Sequence, residues 1–230
     1  RDKDYLNKSI SCLTWLENNY SEGYSGMCWG DPFDWQFRVF IPKEGSTCVV
    51  TTHVANAFLD TFEETQRSRY LEIAESSCKF LLNDLNIDKI DENRVCFSYT
   101  PIDHFHVHNA NLFTADLLSR VGKIRNNDYY VTLSKKALNY TLEHQNKDGS
   151  FYYLGSPDKL AYVVDHYHTG FILRSLYRLY QRNKETRIFH SIGHCLHHYL
   201  NNMFSAEAIP KFTPTRLYPI NIHSCSEAIL

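Results

Sequence analysis

The sequence predicts an all-α protein built from repeated helical hairpins. Four histidines each open an apolar, helix-like run, at His53, His108, His168 and His223, and the gaps between them are 55, 60 and 55 residues. A nearly constant period of this size is typical of an architecture in which one supersecondary unit repeats. Since equivalent positions in equivalent repeats face the same way, we expect the four imidazoles to gather around one shared space.

The first hairpin is predicted from two neighbouring stretches with the helical period. Apolar residues recur every three or four positions in VANAFLDTFEET, directly after His53, and again in YLEIAESSCKFLLNDL. The next two hairpins follow the same plan, with NANLFTADLLSRVGKI before YYVTLSKKALNYTLEHQ, and TGFILRSLYRLYQ before IFHSIGHCLHHYLNNMF. Each pair therefore provides an inner and an outer helix.

Short polar segments separate these stretches. The charged connectors QRSR, RNND and RNKE lie between the two helices of a pair, and such short joints are typical of antiparallel neighbours. Aromatic, extended segments at 95–101, 149–154 and 210–219 follow the second helix of each pair. We expect these to be small hairpins or loops that join one repeat to the next.

The two ends of the sequence look like parts of further hairpins. The opening DYLNKSISCLTWLENNY resembles the second helix of a pair, and the final SEAIL begins another first helix. We expect residues 1–230 to form a single domain, a partial ring of hairpins truncated at both ends.

Composition excludes several classes of partner. A net charge of -2 and a pI near 6.7 argue against nucleic acid, which favours a basic surface. No apolar stretch approaches the length that a membrane span requires. Seven cysteines lack paired CxxC spacing, and two of them, Cys78 and Cys195, lie inside apolar runs. A reducing, cytoplasmic setting is therefore predicted.

Several strings resemble a known family. CWGDPFDWQFR, FSYTPIDHFHVHNANL, QNKDGSFYY, HTGFIL and RLYPINIHSCSEAI resemble a helical-toroid family associated with bacterial exopolysaccharide biosynthesis, a family without an assigned activity. More distantly, the layout is similar to the N-acylglucosamine 2-epimerase and glucuronyl C5-epimerase types of (α/α) toroid, which have six hairpins, and to unsaturated glucuronyl hydrolases. The resemblance implies a carbohydrate site in the central cavity, beside the starts of the inner helices.

The repeated histidines suit acid-base chemistry at a sugar carbon. Histidine titrates nearest neutrality, so a pair across a cavity can remove a proton from one face of a carbon and return one to the other. We expect His108 and His168 to be the leading pair, with His53 and His223 as further candidates. The alternative is that a histidine at a helix start only caps or hydrogen-bonds the neighbouring loop.

Two carboxylates precede these histidines closely. Asp103 lies five residues before His108, and Asp165 lies three before His168. A carboxylate at such a position can orient an imidazole, or act itself as a general acid. It can equally well cap the following helix. We favour the catalytic role for Asp165.

The segment SGMCWGDPFDWQFRVFIP and several asparagines are candidates for substrate binding. Tryptophan faces can stack on sugar rings, and arginine can bind a carboxylate through two hydrogen bonds, which would suit an acidic sugar. The alternative is an ordered loop that plugs one mouth of the ring, with an Asp34 and Arg38 ion pair. The candidates are Trp29, Asp34, Trp35, Arg38, Asn56, Asn109 and Asn111.

No metal site or cofactor is predicted. His194 and His198 are spaced as zinc ligands on one helical face, but no HExxH motif is formed and this run falls on an outer helix. The HFHVH string is another possible source of ligands.

Together these patterns predict a partial (α/α) toroid that acts on a sugar or oligosaccharide in polysaccharide biosynthesis. The preferred activity is that of a sugar epimerase or isomerase. A glycoside hydrolase or polysaccharide lyase on the same scaffold is one alternative, and a non-catalytic glycan-binding or assembly protein is another.

Overall fold

Helices dominate the chain, as predicted. The computed structural model describes residues 3–36, 38–157 and 163–229. The helices in these ranges are α1 Lys3–Asn18, α2 Cys48–Thr65, α3 Ser68–Asn83, α4 His108–Arg125, α5 Asp128–Glu143, α6 His166–Asn183, α7 Thr186–Asn202 and α8 Ile222–Ile229. Within the described ranges, no helix combines the length and apolarity needed to cross a bilayer.

The helices form two concentric layers. Four of them, α2, α4, α6 and α8, pack side by side as an inner wall, and α3, α5 and α7 lie behind their hairpin partners as an outer wall. The apolar sides of both walls meet in a core that includes Leu59, Leu81, Leu118, Leu138 and Leu176, all fully buried. This arrangement confirms the predicted (α/α) toroid.

The short strands form two antiparallel ladders at the rim. Strand β1 (Trp35–Gln36) pairs with β2 (Phe40–Ile41), and β3 (Ile87–Lys89) pairs with β4 (Val95–Phe97). The aromatic segment at 95–101 therefore begins as one arm of a hairpin. The other two aromatic segments contain only isolated bridges among their described residues, such as Val107 with Leu154.

The three hairpin joints are two residues long and share one conformation. Helices α2, α4 and α6 each end at a residue in the left-handed region, Gln66 at φ 57°, Asn126 at φ 52° and Lys184 at φ 55°. The backbone N–H of each donates to a carbonyl about one turn earlier, which satisfies a group that the helix end leaves unpaired. This confirms the predicted short joints.

These joints fix the true register of the repeats. Helices α2, α4 and α6 begin at residues 48, 108 and 166, so the repeat length is 60 and then 58 residues. His108 is therefore equivalent to His166 and not to His168. His53 lies five residues further into its helix than His108 does. The expectation that the four periodic histidines occupy equivalent positions is wrong, because they lie at different phases of their helices.

Three of the polar and aromatic candidates are structural. Asn111 is fully buried, where its side chain accepts from the N–H of Phe97 at 3.1 Å and donates to the carbonyl of Ala137 at 2.8 Å. It thereby ties α4 to β4 and α5. This position corrects the expectation that Asn111 contacts a ligand.

Asp103 organises the loop before α4. Its carboxylate accepts from the N–H groups of Tyr99, Thr100 and Phe105 and from the hydroxyl of Thr100, at 2.5 to 3.1 Å. The side chain is 4% exposed and its recorded hydrogen bonds go to this loop, not to His108. A loop-forming role replaces the expected catalytic one.

Trp29 belongs to a small core beneath α1. Its ring stacks on Phe58 with centroids 6.0 Å apart, and its indole N–H donates to the carbonyl of Leu16 at 2.9 Å. At 3% exposure the ring has no open face on which a sugar could stack, so the expected binding role is corrected to a packing role.

The left-handed joints lead to a test of stability. Replacing Gln66 with Gly should raise the free energy of unfolding by roughly 0.5–1 kcal/mol, because glycine adopts this conformation without steric cost. The control Lys79→Gly, at an exposed interior position of α3, should lower it by about 1 kcal/mol. Urea unfolding measures both, and a loss of stability in Gln66→Gly would contradict the role given to the joint.

Candidate active site in the inner wall

The inner faces of three helices repeat one spacing. On α2, α4 and α6 the side chains at positions i, i+3 and i+7 of one helical face lie at matching heights, as the repeat register requires. These sets are His53, Asn56 and Asp60 on α2, Phe113, Asp116 and Arg120 on α4, and Phe171, Arg174 and Arg178 on α6. The first member of each set is a ring, and the later members are polar or charged.

The three rings contact one another and form what we call the ring layer: His53, Phe113 and Phe171. Ring centroids are 4.8 Å apart for His53 and Phe113, 5.4 Å for Phe113 and Phe171, and 6.5 Å for His53 and Phe171. The N–H at Nδ1 of His53 donates to the carbonyl of Val49 at 2.8 Å, which leaves Nε2 as the ring's acceptor. His53 thus stands at an aromatic surface.

Two further histidines join the same cluster through aromatic rings. Tyr167 lies 5.7 Å from Phe171 and 5.7 Å from His223, and His168 lies 6.2 Å from Phe171. His53, His168 and His223 therefore border one aromatic cluster, each through a ring of α6.

His168 is held by a carboxylate. One oxygen of Asp165 accepts the backbone N–H of His168 at 2.9 Å and caps α6, and the other lies 2.5 Å from Nδ1 of the imidazole. Tyr153 covers one side of the ring with centroids 4.2 Å apart. No described residue bonds to Nε2, so this nitrogen is available for a ligand. The capping and orienting roles considered for Asp165 are both present.

The surroundings disfavour charge on several of these groups. The walls of the cavity remove water from one side of the His53 ring, which lowers the pKa of its imidazole, although part of the ring stays exposed. The charges of Arg174 and Arg178 act in the same direction. Burial raises the pKa of Tyr167 to about 12, with a smaller contribution from Asp165. Burial likewise raises the pKa of Tyr153. Neutral forms of all three dominate near pH 7.

His108 does not join this cluster. It is 1% exposed and packs between α4 and α5, where its ring stacks on Tyr140 with centroids 5.7 Å apart. Its structural equivalent His166 is also buried, with Nδ1 3.2 Å from the hydroxyl of Tyr199. Burial lowers the pKa of His108 to about 3 and that of His166 to about 4. The position of His108 corrects its expected pairing with His168 across an open cavity.

The remaining candidates lie around the rim and the wall. Trp35 packs edge-on against Tyr99 at 6.0 Å, and Asp34 accepts the backbone N–H of Lys43 at 2.6 Å. The guanidinium of Arg38 lies 5.4 Å from the ring centre of Phe105. None of these contacts of Trp35, Asp34 and Arg38 is to a histidine of the cluster.

The two other asparagines differ from each other. Asn56 faces the cavity, where its side-chain oxygen accepts from Arg120 at 3.0 Å. Asn109 is 3% exposed, and among the described residues its side-chain oxygen has no partner.

Below the ring layer the inner wall lines an open, charged cavity of about 240 Å³, which we call the charged floor. Besides Asn56, it is lined by Asp60, Glu63, Asp116, Arg120, Arg178 and Arg182. Arg120 pairs with Asp60 at 2.7 Å and with Glu63 at 2.8 Å. Arg182 pairs with Asp116, and burial lowers the pKa of Arg182 to about 10.

No metal-binding cluster of three or more His, Cys, Asp or Glu side chains occurs in the described ranges. In the HFHVH string, His104 and His106 each lie 2.8 Å from a carboxylate oxygen of Asp88. The HCLHH histidines are on the outer helix α7, as expected.

Sequence reasoning missed the aromatic and arginine members of the site. Tyr153, Tyr167, Phe113 and Phe171 supply the surface on which the histidines stand. The three joints at Gln66, Asn126 and Lys184 are the signal that could have revealed them. When the repeats are aligned at these joints, the residues on the inner faces of α2, α4 and α6 fall at equivalent positions.

Comparison with solved structures places this fold among known toroids. The chain is similar to a family 76 glycoside hydrolase from a bovine Bacteroides thetaiotaomicron strain (13% identity, TM-score 0.73), covering 97% of this chain and 50% of that one. It is also similar to cellobiose 2-epimerase from Spirochaeta thermophila (15%, TM-score 0.68; 90% and 58%) and to a D-mannose isomerase (15%, TM-score 0.66; 98% and 66%).

These likenesses show the fold alone, because every identity is low. The chain spans about half to two thirds of the length of these solved proteins. No protein-family model and no curated protein sequence matches the chain.

The buried histidine His166 predicts how stability depends on pH. Its pKa is about 4 in the folded protein against 6.5 ordinarily, so between these values the unfolded state binds the extra proton. The free energy of unfolding should therefore fall as the pH drops below 6.5. Replacing His166 with Gln should make this dependence shallower by up to about 1.4 kcal/mol per pH unit.

Urea unfolding at pH values from 4.5 to 7.5 measures this slope. The control Lys79→Gly changes stability without altering a group that titrates in this range, so it should keep the wild-type slope. An unchanged slope in His166→Gln would show that its imidazole is not held neutral.

Proposed function

We propose that this protein is a sugar epimerase or isomerase that transfers a proton at a carbon next to a carbonyl. His168 takes the proton, and the electron pair of the broken C–H bond moves to the carbonyl oxygen of the open-chain sugar, which becomes an enediolate. Return of a proton to the opposite face of the same carbon re-forms the carbonyl and gives the epimer. Return to the neighbouring carbon, with transfer of the hydroxyl proton to the enediolate oxygen, gives the isomer. No oxidant or reductant is required.

The arrangement of His168 is the observation that carries this proposal. A carboxylate on Nδ1 fixes the tautomer and orientation of an imidazole and stabilises the charge it acquires with a proton. The other ring nitrogen, Nε2, is then the acceptor that faces a ligand. Asp165 provides this carboxylate 2.5 Å away, and it is itself fixed by its bond to the first turn of α6.

A second imidazole, His53, is the candidate that returns a proton to the opposite face, a step for which its Nε2 must first take up a proton from solvent. His53 and His168 both lie within 6.5 Å of the Phe171 ring, measured between centroids. The apolar faces of Phe113 and Phe171 between them suit the C–H face of a sugar ring. His223, reached through Tyr167, is a further candidate for positioning or proton transfer.

The chemistry of the site favours isomerisation over hydrolysis. Most glycosidases need two carboxyl groups flanking the scissile bond, one of them free to protonate the leaving group. The carboxylates placed beside these histidines are already engaged, Asp165 by His168 and Glu227 by Arg174 at 3.0 Å. Known sugar epimerases and isomerases share the fold, and so does a family 76 glycoside hydrolase.

The cellular role and location are also proposed from the sequence. The link to polysaccharide biosynthesis depends on the family strings given above, such as CWGDPFDWQFR and RLYPINIHSCSEAI. All seven cysteines are free thiols, five of them buried, which supports a reducing, cytoplasmic setting.

Proton exchange tests the activity directly. We expect NMR spectra of D-mannose or cellobiose, incubated with the protein in D₂O, to show deuterium at C2 of the reducing sugar. His168→Gln should lower this exchange rate about 10²- to 10⁴-fold, the usual contribution of a positioned acid-base group. Asp165→Asn should lower it about tenfold or more, because asparagine retains the helix cap but loses the charge beside Nδ1.

The matched control is His194→Gln, an exposed histidine on the outer helix α7, which should exchange at the wild-type rate. Binding of the sugar without any exchange would refute the proposed activity and favour a glycan-binding protein. Release of a reducing sugar from an oligosaccharide would instead favour the hydrolase.

A further inference from the structure

The charged floor is a cavity that the proton-transfer chemistry does not use. It begins one helical turn below the ring layer, on the same faces of α2, α4 and α6. At 1.5 Å per residue, the seven positions from His53 to Asp60 span about 10 Å along the helix. A ligand that has its reacting carbon at the ring layer and follows these helix faces would meet the floor within about this distance.

We propose that the charged floor is a subsite for the hydroxyl-bearing part of an uncharged sugar, and that it discriminates against acidic sugars. This inference rests on the proposed function, because it names the substrate class of the same site. Its support is the pairing of charges in the floor, the exposure of three of its side chains and the size of the cavity.

The charges of the floor balance in number, since Asp60, Glu63 and Asp116 face Arg120, Arg178 and Arg182. Arg120 contacts both Asp60 and Glu63, and Arg174, at the upper edge of the floor, pairs with Glu227. Asp116 lies between two arginines, paired with Arg182 and 3.8 Å from Arg178. A ligand carboxylate would have to displace one of these carboxylates from its arginine, and it would add an unbalanced negative charge to the set.

A hydroxyl group suits such a surface better than an ion does. It donates to a carboxylate and accepts from a guanidinium at once, and hydrogen bonds to charged partners are stronger than neutral ones. Neighbouring hydroxyls of a sugar can therefore hydrogen-bond to carboxylates and guanidinium groups that lie side by side. Since a hydroxyl brings no charge, it leaves the existing pairs intact.

Three side chains of the floor remain accessible to a ligand. Asp60, Glu63 and Arg178 are 72%, 57% and 48% exposed. In contrast, the side chain of Asp116 is 4% exposed and that of Arg120 13%. The buried members hold the exposed ones in place, and the exposed ones supply the contacts.

The cavity is small and opens to solvent. Its volume of about 240 Å³ is below the range of pockets that take drug-sized molecules, and it suits one sugar unit of a ligand. This changes the significance of Arg38, from which the sequence suggests an acidic substrate. Arg38 lies over Phe105 at the rim and is not among the residues that line the floor.

A matched pair of sugars tests the inference. D-mannose and D-mannuronate differ at C6, where the second carries a carboxylate. We expect calorimetric titration to show that the wild-type protein binds mannose at least about tenfold more tightly than mannuronate. Arg178→Gln and Asp60→Asn should each weaken mannose binding about tenfold, the loss expected for a hydrogen bond to a charged group.

The control is Arg187→Gln. Arg187 lies on the outer helix α7, where it pairs with Glu185, so its replacement should leave binding unchanged. Circular dichroism establishes that each variant is folded. If Arg178→Gln does not fold, Asp60→Asn decides the question, because Asp60 is mostly exposed. Equal or tighter binding of mannuronate, no binding of either sugar, or wild-type affinity in the folded floor variants would overturn the inference.

Failure of this inference is separable from failure of the proposed function. Selective binding that depends on Arg178 and Asp60, without deuterium at C2, supports the floor and refutes the epimerase. Deuterium exchange with binding that ignores both substitutions supports the epimerase and refutes the floor.

Discussion

The left-handed residue that ends α2, α4 and α6 is the constraint on which the inner wall depends. Gln66, Asn126 and Lys184 reverse the chain within two residues, so each outer helix packs directly behind its inner partner. Because the three joints are alike, the inner helices begin at matching heights and present matching faces. An extra residue inside an inner helix would rotate every later side chain by about 100° and destroy the ring layer.

The two sides of an inner helix have separate tasks. Its outward side carries residues such as Leu118 and Leu176, which are fully buried against the outer wall, and this apolar contact stabilises the fold. The inward side does not contact the outer wall, and it carries charged side chains instead. Charges placed there must be paired, since an isolated buried ion is costly, and the pairing of Asp116 with Arg182 meets this condition. A polar cavity in a stable domain follows from this division.

The hairpins and their joints were predictable, because helical periodicity and short charged connectors are local signals. The site was only partly predictable. Histidine spacing gave an approximate period, but a two-residue error corresponds to about 200° around a helix, which separates buried His166 from His168 at the cluster. The buried roles of Asn111 and Asp103 depend on backbone groups of β4, α5 and a loop. No sequence pattern indicates such partners.

Asp165 caps α6 and orients His168 at the same time, so the two roles considered for it do not exclude each other. A carboxylate has two oxygens, and once one of them caps the helix, the other lies beside the side chain three residues later. His53 has no such carboxylate, and its Nδ1 is bonded only to a carbonyl of its own helix. Asp165 fixes the orientation of the His168 ring, whereas the cavity walls, Arg174 and Arg178 disfavour charge on His53. The two imidazoles therefore differ in the partner of Nδ1, and the proposed mechanism assigns the role of base to the one held by a carboxylate.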